Sequence, residues 1–558
     1  MTLLMTRPPT AETPVPARRT GRLPWLLVAG WFAQVCLRLC LARARVAPAA
    51  DPDETGYLVA ARWLAGGPGA DLSGNTLYQG AYPVLLAPVH AVTHDPAEVY
   101  TAVMVINALI GALAFPLGYL AARRLGLPRA TALPSAWAAA LLPAATFFGA
   151  FALADAVLPV VVLAWALTLD RHVRFGSAHA AVGATLVAVY ASATHSRGQV
   201  LLAVHAAVLI FLAVRGRGRR ASLIGLGLAA AGQAGGSAFN GLVAGALYPD
   251  GTRDLAANVT TRLTSADGLA WASSGAAGQI WYLVAATWGL GGIGLVAVAA
   301  ALGRRDTRVM AAALLALTGG IAVASSAALP DEHRVGNFVY GRYLACLAVV
   351  YALAGIAALV RLPLRRAAGL ALIAGAVLAG TALGVRWYAG ERLRTHAYIG
   401  FDFPEIQFLT GDRTGFDLAG ATAATAGLLV AFLALRRAPG PSIAALLLAI
   451  NVGALVHIFG LDLRRPGPPP PLPLATGGVA LDRSLPWYAP VKLAHPVWWT
   501  ELSSFDARTH PAPGICTVVV NRPAGTDANA TWPGRPRGWR LADDRAGAWT
   551  VWYRPGCR

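Results

Sequence analysis

Charge is what this chain most lacks. Of its 558 residues only 13% are Asp, Glu, Lys or Arg, while 56% are hydrophobic. A soluble protein of that length needs far more polar surface, so a soluble enzyme is excluded and an integral membrane protein is implied. Lysine is almost missing: Lys492 stands alone among abundant arginine, alanine, glycine and proline. That bias points to a GC-rich bacterial genome and carries no chemistry. Cysteine is sparse, five in all, and none stands at a metal-type spacing with histidine. Cys36 and Cys40, one helical turn apart, and Cys346 read as small buried apolar residues. Cys516 and Cys557 fall in the polar C-terminal region, where an oxidising compartment would let them pair. No internal repeat is visible, which weighs against transporters built from inverted repeats.

What is present is a series of apolar runs of about 20 residues, each long enough to cross a bilayer. A net charge of +19 would suit nucleic acid, but the arginines recur as short clusters between those runs. That is the pattern of cytoplasmic loops, and no nucleic-acid partner is expected. Residues 1–22 read as a disordered cytoplasmic tail, and the first run as a retained anchor rather than a segment cleaved after "VAPAA". About thirteen spans follow, at about 23–46, 98–121, 131–150, 156–170, 178–193, 199–214, 221–247, 279–302, 308–329, 343–360, 367–386, 417–435 and 441–461. This count puts "ARRLGLPR", "RHVR", "RGRGRR", "GRRDTR" and "RLPLRR" inside. It leaves the first outer loop (47–97), the polar segments 248–278 and 387–416, and nearly all carboxylates outside.

The sequence therefore predicts an all-α polytopic domain over 23–465 in a bacterial plasma membrane, with the N-terminus cytoplasmic. A stiff proline-rich linker follows at 466–473, then a small extracytoplasmic domain at 474–558. There "TVVV" (517–520) and "WTVWY" (549–553) read as strands, so that domain is expected to contain β structure.

The first outer loop opens on "DPDETGYLVAARWLAGG" (51–67), with Asp51, Asp53 and Glu54 at the end of span 1. Tyr57, Leu58, Ala61 and Leu64 share one helical face while Glu54 and Arg62 stay polar, which predicts a short interfacial helix over 55–66. The plain account of the acids is capping of that helix. "YQGAYPVLLAPVHAV" (78–92) is too short to span and reads as a second interfacial or re-entrant piece. Other ionisable residues gather at the same membrane face: Asp155, His195 with Arg197, and "DEHRVGNFVYGRY" (331–343). Such groups are costly at that depth and their convergence reads as one site.

An Asp-Glu pair directly after span 1, two juxtamembrane helices, "YQGAYPVLLAP" and the late "YGRY" resemble the GT-C class of integral-membrane glycosyltransferases. Protein O-mannosyltransferases and lipid A aminoarabinose transferases belong to that class. The resemblance covers most of the membrane region, best at 45–125 and 331–345, and the C-terminal region carries none. It implies a hexosyl- or pentosyltransferase using a polyprenyl-phosphate-linked sugar, with a lipid, glycan or protein as acceptor. Asp53 matches the first acid of the pair and is implied as general base, with Glu54 orienting it or the acceptor and Asp51 a neighbour in ambiguous register. Arg342 in "YGRY" is the implied phosphate ligand, its alternative being a snorkelling arginine at the start of span 10. Arg334, Arg197 and His195 are further phosphate-side candidates. Asp155 fits a second acid for acceptor or a divalent ion, with capping of span 4 as the alternative; no cluster demands a metal. Tyr57, Tyr78, Tyr82, Tyr340 and Tyr343 are placed to contact sugar or carrier, although interfacial tyrosines also serve as plain anchors.

Three other readings compete. A flippase or transporter should carry ionisable residues at mid-span, whereas these gather at the outer face. A polymerase or ligase of lipid-linked saccharides would rely on arginine-rich loops rather than an acidic pair. A scaffold explains neither the acids nor the short helices.

Overall fold

The computed structural model describes residues 21–437, 441–460, 467, 472–473, 477–486, 488–497, 499–500 and 502–557. Most of the tail at 1–22 and the greater part of the linker at 466–473 thus lie outside the described residues. Each of the thirteen expected spans coincides with a helix or a helix pair. Among the described residues, eight helices are by themselves long and apolar enough to cross a membrane, and two bent pairs, each counted as one span, bring that number to ten. The chain is a multi-pass membrane protein with a small C-terminal sheet.

The two bent pairs are where sequence and structure connect most directly. Arg129–Ala140 and Pro143–Ala150 meet at 66°, because Pro143 has no N–H to continue the helical ladder. The carbonyls around that break are satisfied from other spans. Arg38 donates from Nη2 to Ala140 O at 2.8 Å and from Nη1 to Ala145 O at 3.1 Å. Gln34 Nε2 donates to Trp137 O at 3.0 Å. In hydrocarbon a break is tolerated only with such partners. Ala266–Ala285 and Leu290–Ala301 meet at 114°, turning through Trp288 and Gly289, both at positive φ. Asn451 of the last span braces both bends: its amide donates to Ala138 O at 2.8 Å and its oxygen accepts from Trp288 Nε1 at 2.7 Å.

Three expectations change. The helix entering the second bend starts at Ala266, inside the segment expected to be a polar loop, with Ser265 capping it through Gly268 N; Leu255–Leu263 is helical too. Alanine-rich "LAWASSGAAG" supports a helix better than its polarity suggested. Cys36 and Cys40 are exposed on the first helix, whereas Cys346, the third of the residues expected to be buried, is buried. The short helix after span 1 runs Asp53–Leu64 with no side-chain cap, and every residue from Glu54 to Arg62 is buried. It is a roofed element rather than one lying half in water, because the segment Ala81–Ala91 and the C-terminal helix Tyr488–Ala494 both pack against it. Arg62, expected on the polar face, donates to Ala494 O and Val497 O at 2.9 Å and to Pro68 O at 2.8 Å.

The second short piece is the helix Ala81–Leu86 with a 3-10 turn Ala87–Ala91. The C-terminal sheet consists of β1 (Gly478–Asp482), β2 (Leu502–Phe505), β3 (Ile515–Asn521), β4 (Arg540–Arg545) and β5 (Trp549–Tyr553), in the order β2-β1-β3-β5-β4. The two strands legible in sequence, β3 and β5, pair antiparallel with Val518 opposite Trp552. Parallel β1 and β2 and the helix Tyr488–Ala494 make the domain mixed α/β. Cys516 and Cys557 are joined by a disulfide with Cα atoms 5.5 Å apart.

Candidate active site

Four charged side chains from four distant segments, one of them the loop 47–97, converge in one cluster. Arg342 donates from Nη1 to Asp53 Oδ2 at 2.6 Å and from Nε to Asp155 Oδ2 at 2.8 Å. Arg197 donates from Nη2 to Asp155 Oδ1 at 2.6 Å. The side chains of Arg342, Arg197 and Asp155 are 8%, 4% and 4% exposed, whereas that of Asp53 is 34% exposed. Asp53 is the open member of a closed charge cluster.

Two glycines let these groups meet. A Cβ at Gly56 would collide with the ring of Tyr78, and that ring lies there so that its hydroxyl can donate to Asp53 Oδ1 at 3.1 Å. A Cβ at Gly341 would collide with the ring of Tyr282, so "YGRY" can settle on the bent span and aim Arg342 inward.

Glu54 is wholly engaged. Its Oε1 accepts from Ala49 N and Ala50 N at 2.7 and 2.8 Å, and its Oε2 from Ala152 N and the Tyr100 hydroxyl, both at 2.7 Å. Burial pushes its carboxyl up, while these four donors pull the other way. It pins the end of span 1, the start of span 2 and the turn before span 4 around the helix that carries Asp53. Asp51 accepts from the Thr55 hydroxyl at 2.5 Å, its carboxyl raised chiefly by burial.

Asp155 neither caps a helix nor keeps an oxygen for a cation, since both are taken by arginines. Burial alone would raise it, but the two guanidiniums hold it below the usual carboxylate range. His195 caps the helix Ser196–Val214 by accepting from Arg197 N, and burial with the Arg197 charge keeps its ring well below ordinary histidine. Arg334 points to a different acid, its Nη1 lying 3.7 Å from Asp402 and its Nε 3.0 Å from Glu332. Tyr57 and Tyr82, expected to offer ring faces to a ligand, are 3% and 0% exposed, with Tyr57 packed edge to face between Tyr78 and Tyr82. Tyr82 spends its hydroxyl on Asn107 at 2.9 Å. Tyr340 and Tyr343 pack with ring centroids 4.7 Å apart, Tyr343 beneath the Arg197 guanidinium.

Two carboxylates escaped sequence reasoning, Asp402 and Glu405, although "FDFPE" in the second long loop was a signal: acids wedged among aromatics. Both are buried, and Asp402 Oδ2 and Glu405 Oε1 have no hydrogen-bond donor among the described residues. Glu405 accepts from the Tyr282 hydroxyl at 2.6 Å through its other oxygen. Burial pushes Asp402 up to about 6 and Glu405 up to about 7. Below about pH 3 both are protonated whether the chain is folded or not. As the pH rises from there to about 7 the unfolded chain releases its protons first, so the folded state loses stability, on the order of 3 kcal/mol for each carboxyl. The thermal unfolding midpoint should therefore fall between pH 4 and pH 8, and the decline should flatten in Asp402→Asn and Glu405→Gln. Parallel pH curves for the wild type and both variants would refute this.

For a divalent ion the described residues offer Asp331, His333 and His396, with donor atoms within 4.8 Å of one another. Reciprocal backbone bonds between His333 O and Ala397 N and between Val335 N and Ala397 O, both 3.0 Å, hold the histidines side by side. The donor set is one that Zn²⁺ accepts.

No family model and no curated protein matches this chain. Among solved structures, ArnT from Cupriavidus metallidurans bound to undecaprenyl phosphate is similar with a TM-score of 0.53 at 16% identity, over 95% of this chain and 98% of that one. The same protein in the apo state gives 0.51 at 15% identity, over 96% and 98%.

Proposed function

We propose that the chain is a glycosyltransferase that moves a sugar from a polyprenyl-phosphate carrier to an acceptor hydroxyl at the outer membrane face, with inversion. One observation carries the reading: Asp53 is open on one side while Arg342 holds it at 2.6 Å on the other. The shared fold with ArnT, solved with undecaprenyl phosphate, supports a lipid-linked donor.

The acceptor oxygen attacks the anomeric carbon as Asp53 takes its proton. The bond from that carbon to the phosphate oxygen breaks, and its electron pair leaves with the phosphate. Asp53, Asp155, Arg342 and Arg197 sum to zero charge before the step. Protonation of Asp53 leaves Arg342 with one carboxylate partner fewer at the moment the phosphate gains negative charge. The freed donor then stabilises the leaving group where charge develops. Arg197 and Asp155 keep Arg342 in place, and Glu54 positions the helix that presents Asp53. The N-terminus is then cytoplasmic and the C-terminal domain extracytoplasmic.

The test is transfer of label from a radiolabelled polyprenyl-phosphate sugar by the purified full chain in membranes, compared with Arg342→Lys. Lysine keeps the charge but cannot reach two carboxylates or a phosphate with separate nitrogens. The donor KM should rise roughly ten- to a hundred-fold, the size of a lost charged hydrogen bond. An unchanged KM and rate would make Arg342 a structural cation.

A further inference from the structure

The C-terminal unit does more than roof the first loop: it closes a cavity against it. The cavity is about 140 Å³ and lies at the seam, with Ala47 and Asp51 of the first outer loop on one side. Lys492, Asp543, Arg545 and Trp549 of the C-terminal unit line the other. One water needs about 10–15 Å³ of such space, so the cavity holds about ten waters, room enough for a single sugar ring.

The seam is tied to the helix that carries Asp53. Lys492, the chain's single lysine, is in the last turn of the helix Tyr488–Ala494, which Arg62 ties through Ala494 O to the helix starting at Asp53. On the sheet side the pairing of β4 with β5 shifts register between Leu541 and Asp543, the kind of bulge that re-aims side chains beside binding sites. Arg545 bonds Asp543 from Nε at 3.1 Å and lies over the Trp549 ring at 5.3 Å. Asp51 stands two residues before Asp53.

The chemistry of the lining selects among acceptors. Asp51, Lys492, Asp543 and Arg545 supply two negative and two positive groups that sum to zero, set among apolar walls. Sugar hydroxyls both donate and accept, and a ring's C–H faces pack on apolar surface, so a neutral saccharide is matched. A phosphorylated lipid headgroup would call for a net positive site, and a peptide for an extended groove.

We infer that this seam is the acceptor subsite, holding one neutral sugar ring of a glycan whose neighbouring hydroxyl reaches Asp53; the inference rests on the proposed transfer reaction. The experiment is ligand-observed NMR on the full chain in nanodiscs, using methyl glycosides of neutral hexoses and pentoses. At least one should bind, at least tenfold more weakly to Lys492→Met/Asp543→Asn. Ala47→Phe, which fills the cavity from the opposite wall, should do the same if the double variant folds poorly, while Asp53→Asn should keep binding. No binding by any glycoside, binding untouched by both variants, or displacement by phosphoethanolamine or a serine peptide would overturn the subsite. Glycoside binding that depends on the seam, together with full transfer by Asp53→Asn, would instead overturn the general base and leave the subsite standing.

Discussion

Asp53→Asn should lower sugar transfer by roughly 10²–10⁴-fold while the protein still inserts and folds. The amide cannot take a proton from the acceptor hydroxyl, and a positioned base contributes a factor of that size. Folding should survive because Asp53 is partly solvated at 34% exposure and the buried Arg342 keeps its second carboxylate partner, Asp155. The asparagine oxygen still accepts from Tyr78 or Arg342, so the cluster keeps its shape. The measurement is the rate of label transfer from a carrier-linked sugar, with a thermal unfolding midpoint as control. Asp51→Asn provides the contrast: its carboxylate bonds Thr55 and faces the seam cavity, so it should raise the acceptor KM and spare kcat. Undiminished transfer by Asp53→Asn would remove the assignment.

Asp155→Asn should be the most destabilising change in the site, by about 3–5 kcal/mol. Asp155 is the shared counter-ion of two guanidiniums that are almost fully buried. An amide of the same shape removes the charge and turns one acceptor into a donor facing a donor. Arg197 retains Arg342 O and Tyr343 O at 3.1 and 3.3 Å, but those carbonyls do not neutralise it. The unfolding midpoint should drop sharply, and the double change Asp155→Asn/Arg197→Met should recover part of the loss by removing the orphaned charge. A midpoint within a degree or two of wild type would show that solvent reaches the cluster.

Particular residues show where sequence reading stopped. The spans were legible because a bilayer demands about 20 apolar residues and arginine clusters mark one side. Asp53, Asp155, Arg197 and Arg342 could each be singled out because charge at membrane depth is rare in this chain. Their pairing was not legible, since they lie as much as 289 positions apart. Asp402 and Glu405 were passed over because a polar outer loop makes acids unremarkable until burial is known. Tyr57 and Tyr82 erred the other way: their position in an outer loop suggested access to ligand, yet close packing hides them.

By itself the sequence determined the membrane class, the positions of the long helices, the ionisable residues that converge and two strands of the terminal sheet. These follow from local composition, where each residue's solvent preference acts within one turn or one strand. Only the tertiary structure decided that Glu54 is a fully bonded brace, that Asp53 is the open carboxylate, and that the C-terminal unit roofs the first loop. Those depend on which distant donors meet which acceptors in a dry interior, where every charge must find a partner.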